Sequence, residues 1–237
     1  MSTSDPKLIV LEINAKSWRQ RRRSLFLTMH KTVWAGVAAA LVYLSGDLVA
    51  GSLYETYSFR DQAISELTAY GSPVRPLMII VMLTHGVLLV LFGLSIMRKS
   101  DLLILRWLGG LLIALGVMGF PTHTVWAMTS RDLEPAFNDT MHIAMSFLWA
   151  ILIVPTVVLS ALAFRGWFRP FALAMLLLML GFGVASASLA AGIEENRTPW
   201  LGGFERVSAY AYLVWLGVLA AVCNQHFRRV VTHKLAR

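Results

Sequence analysis

Charge is scarce in this sequence and cysteine is almost missing. Charged residues make up 14% of 237, and Cys223 is the single cysteine. One thiol excludes a disulfide framework and a thiolate metal site, leaving Cys223 as a small packing residue inside an apolar run. Signature motifs are missing too. The chain has no Gly-x-Ser-x-Gly elbow, no His-Glu-x-x-His and no phosphate loop, so no recognised catalytic or nucleotide-binding pattern is written in it. Space for a separate soluble domain is also lacking, because the connections between apolar stretches run from about 5 to 21 residues.

What is present is apolar. Hydrophobic residues are 57% of the chain and mean hydropathy is +0.64, beyond the range of a soluble domain this long. Six stretches, roughly 33–54, 76–97, 103–128, 143–164, 171–191 and 207–225, reach or nearly reach membrane-spanning length. A helix needs about 20 residues to cross a hydrocarbon core about 30 Å thick. Barrel strands alternate in polarity, whereas these segments are apolar on every side, so they read as helices. The expected fold is all-α, a polytopic transmembrane bundle of six helices. Its parts are a basic N-terminal segment (1–32), the six-helix domain (33–225) and a basic tail (226–237). The apolar run after the basic segment exceeds a secretory signal core, and no small-x-small cleavage site follows it, so no cleaved signal is expected.

The net charge of +8 would suit nucleic acid, but its distribution says otherwise. Of 21 Lys and Arg, 16 fall in the N-terminal segment, the even-numbered connections and the tail. The other five, Arg60, Arg75, Arg131, Arg197 and Arg206, share the odd-numbered connections with nine acids. That asymmetry is the positive-inside pattern, which predicts cytoplasmic termini in a bacterial plasma (inner) membrane. Membrane lipids are therefore the expected partners, and nucleic acid is not. Arg19 and Arg21–Arg23, flanked by Leu8–Leu11, Trp18 and Leu25–Leu27, fit either an interfacial helix on anionic headgroups or an unstructured topology signal.

Small residues mark candidate helix contacts: Gly181/Ala185 and Ser188/Gly192 in the fifth stretch, and Gly109, Gly110, Gly116 and Gly119 in the third. Polar residues at membrane depth are rarer. Asp47 lies about two-thirds along the first stretch, where a carboxylate costs roughly 2.5–3.5 kcal/mol on insertion scales and so faces the bundle interior or a wet cavity. His85 lies mid-stretch, His123 near the end of the third, and His142 opens the fourth three residues after Asp139. His123, Asp139 and His142 are the candidate metal set. In the first odd-numbered loop, Phe59, Ala63, Ile64 and Leu67 share one face of a short amphipathic helix over the bundle mouth, which Gly71 and Pro73 would end. Arg206 can hold a phosphate or carboxylate in bidentate fashion, or pair with Glu205 or another loop acid. Asn138 and Asn196 begin glycosylation sequons.

Several of these features, in order, resemble the DUF998 group of six-helix membrane proteins. They are a first span, Ile64-Ser65-Glu66-Leu67 followed by Gly71-Ser72-Pro73, a span ending Phe120-Pro121-Thr122, His142 at the fourth span, and Gly203-Phe204-Glu205-Arg206 at the sixth. The resemblance covers about residues 33–225 and implies six helices but no reaction. Where that group tends to continue Pro-x-Asp, this chain has His123, so a carboxylate role there is not carried over.

The favoured reading is a non-enzymatic protein with an outer-facing polar cavity of Asp47, Glu66, His142, Glu205 and Arg206, binding or carrying a lipid or small solute. One alternative is a membrane-embedded hydrolase or transferase acting on lipid, with His123, His142 and Asp139 or Asp47 holding a metal or moving protons. A second is a structural subunit with protein partners or as a homo-oligomer. No cofactor is expected, with a metal or heme left open.

Overall fold

The computed structural model describes residues 33–131, 133, 134, 136–190 and 198–235. The basic segment 1–32, Gly192, the Glu194–Glu195 turn, Asn196 and the last two tail residues lie outside the described residues. Among those described, six helices follow one another: α1 (Ala35–Leu53), α2 (Arg75–Lys99), α3 (Leu103–Thr124), α4 (Phe137–Ala163), α5 (Phe168–Ala190) and α6 (Leu201–Leu235). A 3₁₀ turn, Ile64–Thr68, sits between α1 and α2. Each of the six is long and apolar enough to cross a membrane. The chain is an all-α integral membrane protein.

Each helix packs on its chain neighbours, and α6 returns to pack on α1, so the six close into a ring. Short connections impose the α2–α3 and α4–α5 pairings, since helices so joined must run antiparallel side by side. The α4–α5 turn needs only a few residues, with Gly166 at φ 79°. The centre of the ring is filled. Ala39, Leu89, Phe92, Leu112, Val157, Ala172, Trp215, Leu216 and Leu219 belong to one buried cluster drawn from all six helices. Trp215 is fully buried, and its indole N–H donates to Ser160 Oγ at 3.2 Å. No buried side-chain nitrogen or oxygen among the described residues lacks a hydrogen-bond partner.

The tightest contact is α2 on α3, and glycine makes it possible. A Cβ placed on Gly86 would lie 2.7 Å from the Gly116 carbonyl oxygen, and one on Gly116 2.7 Å from that of Gly86. Gly93 and Gly109 repeat this reciprocal approach at 2.5 and 2.6 Å. In lipid, where apolar burial drives little association, such backbone proximity supplies dispersion and weak Cα–H···O contacts. Gly110 and Gly119 meet nothing within 4 Å. Nor does Gly181: the α5–α6 contact uses Gly183, with Ser208 Oγ 3.3 Å from its Cβ position, and Ser208 donating to Met179 O.

Helix ends depart from the apolar stretches where polar groups find partners. α4 begins at Phe137 rather than 143, because Asp139 caps its first turn. α6 begins at Leu201 rather than 207, carrying Glu205 and Arg206 inside the helix, and it continues helically through the basic tail to Leu235. α3 stops at Thr124, four residues early. Beyond Pro121 the Val125 and Trp126 N–H groups both turn to the Pro121 carbonyl, at 3.1 and 2.9 Å. The amphipathic segment of the first loop is shorter than a full helix, yet Ala63, Ile64 and Leu67 are buried as the pattern requires.

Substituting Gly93 or Gly109 with alanine should lower stability by about 1–3 kcal/mol through overpacking. Gly110→Ala, facing open space, should be neutral or slightly stabilising. Unfolding of the purified protein in mixed micelles measures both.

Candidate functional site

Asp47 stands six residues before the end of α1, and Arg206 five after the start of α6. At 1.5 Å per residue both lie roughly 8–9 Å inside the same end of the bundle. They meet there. Arg206 Nε donates to Asp47 Oδ2 at 3.0 Å and Nη2 to Oδ1 at 2.8 Å. The two side chains are 9% and 0% exposed, so this is a buried, bidentate pair. Tyr210, one turn along α6, donates its hydroxyl to Asp47 Oδ2 at 2.6 Å. Arg206 has no donor to spare. Nη2 also reaches the Tyr57 hydroxyl at 2.6 Å, and Nη1 points among the carbonyls of Phe59 (2.7 Å), Gln62 (3.1 Å) and Gly202 (3.3 Å). The aromatic rings of Phe59 and Tyr57 flank the guanidinium at 4.8 and 5.4 Å. Arg206 therefore takes a carboxylate, as its geometry allows, but that of Asp47 rather than of Glu205 or a lipid.

Those carbonyls belong to the first loop, which the pair fixes above the bundle. Tyr57 closes the loop by donating to the Ala63 carbonyl at 2.7 Å. Burial pushes its phenol well above the ordinary range, with Arg206 opposing in part. Glu205 also serves the loop, its Oε2 accepting the Ile64 N–H at 2.6 Å. Loop and α6 press so closely that a Cβ on Gly202 would collide with the Gln62 carbonyl. Asp61 caps the entry to α6 by accepting the Trp200 N–H at 3.0 Å, holding that residue at φ 70°. The Arg60 guanidinium, hydrogen-bonded to Asp61 at 2.8 and 2.9 Å, and the Trp200 N–H hold its carboxyl down to about 2.

Glu66 forms a second nearly buried pair, with Arg131 (4% and 11% exposed). Its Oε1 accepts from Arg131 Nη2 at 2.8 Å and from the Ala63 N–H at 2.8 Å. Oε2 accepts from Arg131 Nε at 2.7 Å and Gln62 Nε2 at 3.1 Å. The hydrogen bond to Glu66 raises the Arg131 pKa above its usual value. Beside this pair opens a pocket of about 470 Å³ lined by Tyr54, Thr56, Ser58, Asp61, Gln62, Glu66, Ser130, Arg131, Thr198 and Pro199. The Tyr54, Thr56 and Ser130 hydroxyls bordering it make no hydrogen bond to a described residue.

The histidines divide otherwise. His142 points Nδ1 at the carbonyls of Thr122 (3.2 Å) and Trp126 (3.1 Å). Two acceptors require that Nδ1 carry the proton, so His142 pins α4 to the end of α3. Its ring faces His123, with centroids 5.9 Å apart. Asp139 is not with them. Its oxygens accept from the Thr129 N–H (2.7 Å), the Thr129 hydroxyl (2.8 Å) and the Ala136 N–H (2.7 Å), capping α4 where the helix dipole favours an acid. Among the described residues no three His, Cys, Asp or Glu side chains gather closely enough to hold a metal ion. His85, in the middle of α2, has Nδ1 3.0 Å from the Ala39 carbonyl and Nε2 3.3 Å from the Tyr212 hydroxyl, so both nitrogens are engaged.

Of the residues singled out in the sequence, Asp47, Arg206, Glu205 and Glu66 thus meet around one loop, while His142 stands apart and only Glu66 lines the pocket. Sequence reasoning missed Arg131, Tyr57, Gln62 and Tyr210. Tyr210 alone carried a local signal, one helical turn from Arg206.

Residues 37–222 match the family described as a protein of unknown function, DUF998. No curated protein and no solved structure matches the chain.

Arg206→Lys keeps the charge but cannot reproduce a planar five-donor fork. It should destabilise the protein by about 3–5 kcal/mol, because Asp47 and several carbonyls lose buried partners. Tyr210→Phe, removing one bond to a charged group, should cost about 1.5–3 kcal/mol. Unfolding in mixed micelles separates the two.

Proposed function

The chain belongs to the DUF998 family, and since that description assigns no reaction, we propose from the site itself that it binds a small polar ligand without transforming it. The ligand is a lipid headgroup, or a free solute of the same chemistry, seated in the Glu66–Arg131 pocket. The observation that carries this reading is a nearly buried charge pair at the edge of an open polar pocket, beside hydroxyls with no described protein partner. A concave pocket on which a few polar groups converge is the usual mark of a binding site, because a ligand can take up hydrogen bonds that the protein leaves open to solvent. Both acids of the lining already have cations, Asp61 with Arg60 and Glu66 with Arg131. A pocket so neutralised suits an uncharged or zwitterionic, hydroxyl-bearing group better than a bare anion.

Binding is favoured over carriage because the polar groups stop partway. Beyond His85 and Tyr212 the ring is filled by Leu89, Phe92, Leu108, Leu112, Trp215, Leu216 and Leu219, which offer a solute no hydrogen bonds. The described lining contains no His or Cys and both its carboxylates are paired with arginine, which favours a binding role over acid–base or nucleophilic work. The charge asymmetry of the connections favours the non-cytoplasmic face of a plasma membrane for the pocket.

In nanodiscs, lipids with ethanolamine or glycosyl headgroups, or the same headgroups free in solution, should raise the melting temperature of the protein. Thr56→Val with Ser130→Ala should weaken that binding about tenfold, as loss of one or two hydrogen bonds predicts, without altering ligand-free stability. A shift from none of these probes, or one untouched by both substitutions, contradicts the proposal.

A further inference from the structure

The end of the bundle away from the pocket is built on another principle. Arg98 closes α2, Arg106 lies in the first turns of α3, Arg165 and Arg169 flank the α4–α5 turn, and Arg228 and Arg229 follow the apolar part of α6. All six are exposed. The ion pairs between described residues, Arg60–Asp61, Glu66–Arg131 and Asp47–Arg206, all lie at the pocket end. None of these six arginines is therefore neutralised by a described side chain, and Asp101 is the one acid beside them among the described residues. Two tryptophans stand at the same level. Trp107, next to Arg106, is 63% exposed, and Trp167, between Arg165 and Arg169, is 65% exposed.

Arginine and tryptophan interleaved where spans end is the chemistry of a headgroup layer. The indole lies across the boundary between chain and headgroup, and the arginine stem follows the helix while its guanidinium reaches phosphate. A soluble polyanion or an acidic protein would be met better by a projecting basic loop. Here the charges ring the helix ends, spaced around the bundle. We propose that this end is an electrostatic collar for anionic phospholipid headgroups, held by net charge and not by headgroup shape. It is independent of the ligand pocket and of whatever that pocket binds.

Lipids retained by the purified full-length protein, exchanged into nanodiscs of defined composition, test this. Phosphatidylglycerol and phosphatidylserine should both be enriched around the protein over phosphatidylcholine, equally, and less so as salt rises. With about a fivefold effect per basic residue at low salt, Arg106→Gln, Arg165→Gln and Arg169→Gln together should reduce enrichment on the order of 100-fold. The matching lysine variants should keep it, and helical content by circular dichroism should be unchanged in all. Free glycerophosphate at millimolar concentration should not compete. An absence of enrichment, enrichment that survives the three glutamines, a preference for one anionic headgroup over the other, or displacement by glycerophosphate would each overturn the collar.

Discussion

A carboxylate and a guanidinium meeting inside an apolar ring constrain this protein more than any other contact. Either charge alone at that depth would be strongly unfavourable. Together, with Tyr210 and Tyr57 completing their hydrogen bonds, Asp47 and Arg206 are tolerated and join the first helix to the last. Five of the six contacts in the ring are between chain neighbours, whose pairing the segments linking them help to enforce. The sixth, α1 on α6, joins residues 159 apart in sequence and has no such enforcement. Gly36 assists, lying close to Ala220 on α6 and Phe92 on α2.

The same guanidinium also orders the surface above it. Its remaining donors take carbonyls of the first loop, which positions Tyr57, Gln62 and the 3₁₀ turn, and Gln62 in turn reaches Glu66. Glu66 then draws in Arg131 from the second odd-numbered loop. Tyr70 joins the same two loops by exchanging backbone hydrogen bonds with Met128 and Ser130 at 2.8 and 3.0 Å. The pocket is thus a consequence of the closure beneath it. A mobile rim would give a ligand no fixed geometry, and the polar groups beneath it would lose the partners that make their burial tolerable. At the opposite end the arginines among the described residues face outward.

Six apolar runs translated directly into six helices because hydropathy at this length leaves a bilayer chain no other way to satisfy its backbone. The ends of those runs were less legible, since Asp139, Glu205 and Arg206 look like loop residues until their partners are known. Asp47 and Arg206 each stood out for the cost of a charge at that depth. Their pairing did not, because Glu205 lay adjacent and nothing local distinguishes one acid from the other. Small residues were similarly ambiguous. Gly109 and Gly116 face the backbone of α2, whereas Gly181 meets nothing, and the two cases differ only in which side of the helix is turned inward. His123 and His142 do approach one another, but Asp139, three residues from His142, is turned away to cap the helix that carries it.

A double-mutant cycle on Asp47→Asn and Arg206→Gln, read as unfolding free energy in mixed micelles, addresses the closure most directly. If the pair joins α1 to α6, each single change is severe, the double change costs little more than either one, and the coupling between them is several kcal/mol. Effects that simply add, to within about 0.5 kcal/mol, would mean that the two residues do not depend on each other and that the ring closes by apolar packing alone.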